Sequence, residues 1–268
     1  MNRTLFLILA LSLASATQSV AGVAVIGSLV RQYAPKPGET FEGIILLKNT
    51  GSEAVEMGIG QTDYLFAADG SNHYDKPGTH ARSNAAWLSV NPARALVPAQ
   101  STVSVHYKGK VPAASDLQGT YWSMIMVEPT NVPTPEVKDQ KDKVVVGVRT
   151  VMRYAVQVVT EIGATGTESL HVIEKRLLLN DGKKVLELDV GNNGERVQIP
   201  TLWAEFYNEQ GVSIGRFEGG RWRIYPACSV RYKVDLRDIP AGKYTAMIVM
   251  DTGGEYVTGA QYSLEIAP

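Results

Sequence analysis

The sequence predicts an all-β protein of two tandem immunoglobulin-like antiparallel β-sandwiches, and three observations predict it. Short apolar segments recur at roughly 8–12-residue spacing, separated by Gly, Pro and Asn, which is the rhythm of sandwich strands and their turns. No segment holds a 3.6-residue apolar period, so helices are expected to be minor. One sub-pattern also occurs twice. Pro98-Ala99 opens a strand, Val111-Pro112-Ala113 closes it, and Gly119-Thr120-Tyr121 opens the next. Pro226-Ala227, Ile239-Pro240-Ala241 and Gly242-Lys243-Tyr244 repeat those positions, with the same 14-residue interval between the prolines. Self-similarity over half a chain signals two copies of one fold.

Taken in order, residues 1–21 read as a secretory signal peptide. Arg3 supplies the positive start, residues 5–14 an apolar run, and Ser19-Val20-Ala21 the small residues before a cut. The run is too short to span a bilayer and no later one is longer, so a soluble, exported chain beginning at Gly22 is expected. Residues 22–162 are assigned to a first sandwich. Its strands are read at 23–33, 40–49, 55–65, 87–90, 101–107, 119–127 and 144–160. In residues 101–107, Val103, Val105 and Tyr107 point one way and Thr102, Ser104 and His106 the other. Residues 128–143, rich in Pro and charge, read as a long exposed loop. Residues 161–168 link to the second sandwich, assigned to 163–268, in which Gly191-Asn192-Asn193-Gly194 mirrors Asn49-Thr50-Gly51. Tyr121 and Tyr244, each two residues after a Gly, are read as tyrosine corners.

Composition narrows the function. The net charge of −1 and pI near 6.4 give no basic field for nucleic acid or anionic lipid. A single cysteine, Cys228, forms no internal disulfide, so the core must hold without staples. Two catalytic-looking strings fail on context. Gly211-Val212-Ser213-Ile214-Gly215 matches the nucleophile elbow, but begins in a hairpin turn and leads into no helix. Asp251-Thr252-Gly253 matches the aspartic-protease triplet, but lacks the second carboxylate and suits a hairpin turn. His73, Asp75 and His80 share a loop at a spacing that fits no standard zinc pattern. The reading is of a non-enzyme without metal or cofactor. What remains is residues 144–160, a Val-rich segment with two readings: an ordinary core strand, or an edge that exchanges a strand with another chain.

A Pro-preceded strand, a long polar loop and a Val-rich last strand of the first sandwich, in an exported two-sandwich chain, resemble the PapD-like periplasmic chaperones of pilus assembly. The resemblance implies a periplasmic protein that binds exported β-rich, pilin-like subunits by strand addition. It implies Val144, Val146 and Val148 as the apolar side chains offered to the subunit. It also implies Arg31 and Arg153 as bases for the subunit's carboxylate in the cleft between the domains. Where that family carries an acidic-basic signature, this chain has Leu117-Gln118-Gly119-Thr120-Tyr121-Trp122-Ser123. The alternative reading is a structural or adhesive component of the bacterial cell surface.

Overall fold

The alternation read in residues 101–107 is built into the structure, a computed structural model that describes residues 22–131, 138–140, 143–145, 151–180 and 183–267. The first sandwich comprises β1 (Val23–Ile26), β2 (Val30–Tyr33), β3 (Thr40–Asn49), β4 (Val55–Phe66), β5 (Asn72–Asp75), β6 (Leu88–Asn91), β7 (Arg94–Val97), β8 (Thr102–Lys110) and β9 (Gly119–Pro129). A small hairpin, β10 (Lys138–Gln140) and β11 (Lys143–Val145), precedes β12 (Tyr154–Ile162). One sheet runs β1-β3-β8-β6; the other runs β2-β12-β9-β4, with β5 and β7 both on β4. The inward sides of β3 and β8 (Ile45, Leu47, Val105, Tyr107) meet Met57, Ile59, Ile125, Val127, Val156 and Val158 from the facing sheet. Burial of these side chains is the main force holding the sheets together.

The second sandwich is built from β13 (Leu170–Asn180), β14 (Lys183–Asn192), β15 (Thr201–Asn208), β16 (Ser213–Arg221), β17 (Ser229–Asp235), β18 (Gly242–Asp251) and β19 (Val257–Ile266). Its sheets run β13-β14-β17 and β16-β15-β18-β19. Leu186, Leu188, Val190, Tyr232 and Val234 face Leu202, Phe206, Ala246, Ile248 and Met250. Among the described residues the only helical segment is a three-residue 3-10 turn, Ala85–Trp87. The chain is thus a tandem of antiparallel sandwiches.

The duplicated pattern is also a duplicated side-chain lock. Asn49 at the end of β3 is fully buried; its Nδ2 donates to the carbonyls of Glu53 (2.7 Å) and Val97 (3.0 Å), and its Oδ1 accepts from Gly51 N–H (2.8 Å). Asn192 at the end of β14 does the same for Arg196 (2.8 Å), Ile224 (2.9 Å) and Gly194 (2.9 Å). Each thereby ties its strand end to the turn that follows it and to the segment leading into β8 or β17. Those segments carry the two non-glycine residues with positive φ among the described residues, Gln100 (55°) and Ala227 (60°), so both lead-in segments make the same bend.

Three expectations are corrected. Residues 23–33 are two strands in different sheets, because Gly27 takes φ of 93° and lets the chain cross from β1 to β2. Residues 144–160 are not one strand: Lys143–Val145 pairs with Lys138–Gln140 inside the expected loop, and β12 starts only at Tyr154. The corner role holds for Tyr244, whose hydroxyl donates to Pro240 O at 3.0 Å. It fails for Tyr121, whose ring instead packs on Trp87 (4.7 Å) beneath Arg82 (5.4 Å) and whose hydroxyl has no such bond among the described residues. Tyr244→Phe is therefore expected to cost about 1 kcal/mol and Tyr121→Phe close to none, a contrast that urea unfolding measures directly. Equal losses at both positions would sink it.

A candidate interaction edge beside the sandwich junction

From Val156 to Thr160 β12 is buried on both faces, and that explains its Val-rich sequence without polar alternation. Val156 and Val158 enter the first core, while Val159 enters the core of the second sandwich. Between them Gln157, on the same face as Val159, accepts a buried hydrogen bond from the Tyr225 hydroxyl at 2.9 Å. Burial pushes that hydroxyl up to about 12, so it stays a donor at any physiological pH. Trp122, paired with Val159 on the neighbouring strand, stacks on Tyr225 at 4.8 Å and donates its indole N–H to Tyr64 O at 2.9 Å. A sheet of the first sandwich thus caps the second.

Polar contacts close the rest of the junction. The Glu195 carboxylate receives Arg82 (2.9 Å) and Gln118 (2.8 Å), and the Thr167 N–H holds it below the usual carboxylate range. The Glu195 carbonyl accepts Thr120 N–H at 2.8 Å, and Val197 N–H returns to Thr120 Oγ1 at 2.9 Å. Gly119 takes φ of 73° here, and a Cβ on it would lie 2.3 Å from Glu195 O, so the close approach requires glycine. On the β2 side, Gln32 bonds Glu161 and accepts from Arg223.

The edge itself arises from the shortness of β2. It runs parallel to β12 but covers only Gln157–Thr160, and the Leu29 carbonyl closes the pairing by accepting Gln157 N–H at 2.7 Å. Tyr154, Ala155 and Val156 are paired to β9 on one side and to no described strand on the other. Just before them, Val151 and Met152 are exposed in chain that belongs to no strand, and Ile26 and Leu29 are exposed at the crossover from β1 to β2. Unpaired backbone beside exposed apolar side chains is the chemistry of strand addition.

The residues singled out from sequence fall as follows. Val144 lies in β11, its backbone opposite Asp139; Val146 and Val148 lie outside the described residues. Arg153 stands at the open end of β12, exposed, with Glu128 at 3.2 Å. Arg31 sits opposite Val158 on β2 and shares a face with Tyr33, which packs into the first core. Its Nε is buried without a partner among the described residues, and its guanidinium lies against Gly27. Arg31 is thus level with the middle of β12, while Arg153 precedes Tyr154, the first residue of that strand. Gln32, Gln157, Tyr225 and Arg223 line the junction instead. Sequence reading missed them because a Gln among valines carries no signal until the second sandwich is in place.

No family model and no curated protein matches the chain. Among solved structures, it is similar to a chain of a chaperone–tip adhesin complex of CFA/I fimbriae biogenesis, at 12% identity and a TM-score of 0.48, covering 91% of this chain and 98% of that one. It is similar to the class 5 fimbriae chaperone CfaA at 12% identity and a TM-score of 0.46, covering 92% of this chain and all of that one. The E. coli chaperone DraB matches at 14% identity and a TM-score of 0.40, over 92% of this chain and 97% of that one.

Proposed function

We propose that this chain is an exported, periplasmic chaperone-like protein that binds β-rich, pilin-like subunits by strand addition. The observation that carries the reading is the half-covered β12: a strand anchored in two cores whose first residues, Tyr154–Val156, have an open side. A subunit strand laid there would take its hydrogen bonds from the main chain and its specificity from pockets for alternate side chains. The anchoring matters because an edge held rigid loses little conformational entropy on binding. In this reading Val144, Val146 and Val148 are apolar side chains offered to the subunit, with Val151 and Met152 exposed after them in sequence and Arg153 next to β12. Arg31 supports β2 from behind rather than touching the subunit. The role is binding, not catalysis, and the leader at residues 1–21 delivers the chain to its partners.

A photo-crosslinking side chain at position 152 tests this. Met152 is 50% exposed, so the replacement leaves the fold intact. In growing cells it should link to an exported β-rich subunit, identified by mass spectrometry. The same side chain at Val212, 58% exposed on the second sandwich, should give no such adduct. Adducts at 212 and none at 152 would move the reading to a structural or adhesive surface protein.

A further inference from the structure

Apart from the open start of β12, the described sheets end in edges that are short, broken or charged, with one exception. β1, β2, β5, β6 and β7 have four residues each. β13 carries a bulge at Val172/Glu174 and a charged Glu174-Lys175-Arg176 run. β16 has two register shifts against β15 and carries Arg216, Glu218 and Arg221. β17 carries Arg231, Lys233 and Asp235. These are the devices by which proteins keep edges from pairing. β19 has none of them. Its ten residues, Val-Thr-Gly-Ala-Gln-Tyr-Ser-Leu-Glu-Ile, pair with β18 without a register shift from Val257 to Ile266. They include no Pro, no Lys, no Arg and one charge, Glu265.

We infer that β19 is a self-association edge, and that its occupant is β19 of a second copy of this chain. Directly opposed residues of an antiparallel pair share a face, so a two-fold axis must pass through a residue rather than between two. Centred on Gln261, the pairing sets Val257 opposite Glu265, Thr258 opposite Leu264, Gly259 opposite Ser263 and Ala260 opposite Tyr262. In every pair but the central one a smaller residue meets a larger one, and no like charges stand opposite. The inward row matters most. Tyr262 and Leu264 are partly buried against the second core, with the Lys175 ammonium of β13 4.1 Å from the Tyr262 ring centre, and the partner's Ala260 and Thr258 would pack beside them. Two four-stranded sheets would become one of eight strands. Because the far edge of that sheet, β16, is bulged and charged, the contact closes as a dimer and does not propagate as a fibre.

Gln261 is exposed, so its replacement does not disturb folding. The purified chain should sediment as a dimer at about 100 μM, well above a micromolar dissociation constant. Gln261→Lys places two ammonium groups opposite each other and should raise the dissociation constant at least about tenfold, the equivalent of a single tenfold step in affinity. Mixing Gln261→Lys with Gln261→Glu should restore the dimer. In oxidising buffer Gln261→Cys should cross-link to itself. Ser263→Cys, about 13 Å from its own copy in this register, should not. A monomeric wild type, a dimer indifferent to Gln261→Lys, or equal cross-linking at 261 and 263 would each overturn the inference.

Discussion

Replacing Asn192 by Ala is expected to lower the stability of the second sandwich by about 3 kcal/mol, and Asn49→Ala to do the same to the first. Each side chain makes three hydrogen bonds at 1% exposure or less. Truncation of Asn49 removes the side-chain partner of Glu53 O, Val97 O and Gly51 N–H, and truncation of Asn192 removes that of Arg196 O and Gly194 N–H, while Ile224 O keeps the Gln198 N–H. One such orphan costs roughly 1–3 kcal/mol, and relaxation recovers part of the sum. For two sandwiches that unfold together the loss corresponds to a melting temperature lower by on the order of 10 °C. Asn193 supplies the control. It has the same side chain one residue later but is exposed, and its own tie, to Ser169 O at 2.9 Å, is a backbone bond that Ala preserves. Asn193→Ala should change the unfolding free energy measured in urea by less than about 0.5 kcal/mol. Similar effects at 192 and 193 would remove the lock from the account of the fold.

The lock shows what was legible in the sequence and why. Asn192-Asn193-Gly194 and Asn49-Thr50-Gly51 are short local signals, and local signals survive without tertiary context. The same holds for β8, where alternation of Val103, Val105 and Tyr107 with polar residues matches the observed burial. It holds too for the duplicated proline frame, which marks β8–β9 and β17–β18 as equivalent crossings between sheets. Local signals failed where the environment is made by distant chain. In β12 the run Val156–Thr160 is buried on both faces, so period-2 patterning disappears and its start cannot be placed. Tyr121 has the sequence context of Tyr244, yet Arg82 and Trp87 occupy its surroundings. The candidate edge depends on where β2 stops covering β12, which is set by the crossover at Gly27 and not by any residue of β12 itself.

Trp122→Ala should do more than lower stability: it should divide the unfolding of the chain into two steps. Trp122 belongs by sequence to β9 of the first sandwich and by packing to the core of the second. It is 1% exposed, stacks on Tyr225 at 4.8 Å, meets the tilted His80 ring at 4.6 Å, and donates to Tyr64 O. Removing an indole from such a site costs about 3–5 kcal/mol through lost burial and the cavity that remains. The cost falls on the contact between the sandwiches, since Ile125 and Val127, which fill the first core, are untouched. Calorimetry should therefore show one transition for the wild type and two for Trp122→Ala. Trp122→Phe keeps a stacking ring but leaves the Tyr64 carbonyl unpaired; it should retain one transition, at a penalty of about 1–3 kcal/mol. The consequence for binding follows from the register, in which Val159 pairs with Trp122 two residues beyond Gln157. With the junction loosened, the open residues Tyr154–Val156 lose the anchor that holds them straight, and cross-linking from position 152 should fall although that position is unchanged. A single, undivided transition for Trp122→Ala would mean that the polar ties at Glu195 and Gln157 join the sandwiches without the aromatic stack.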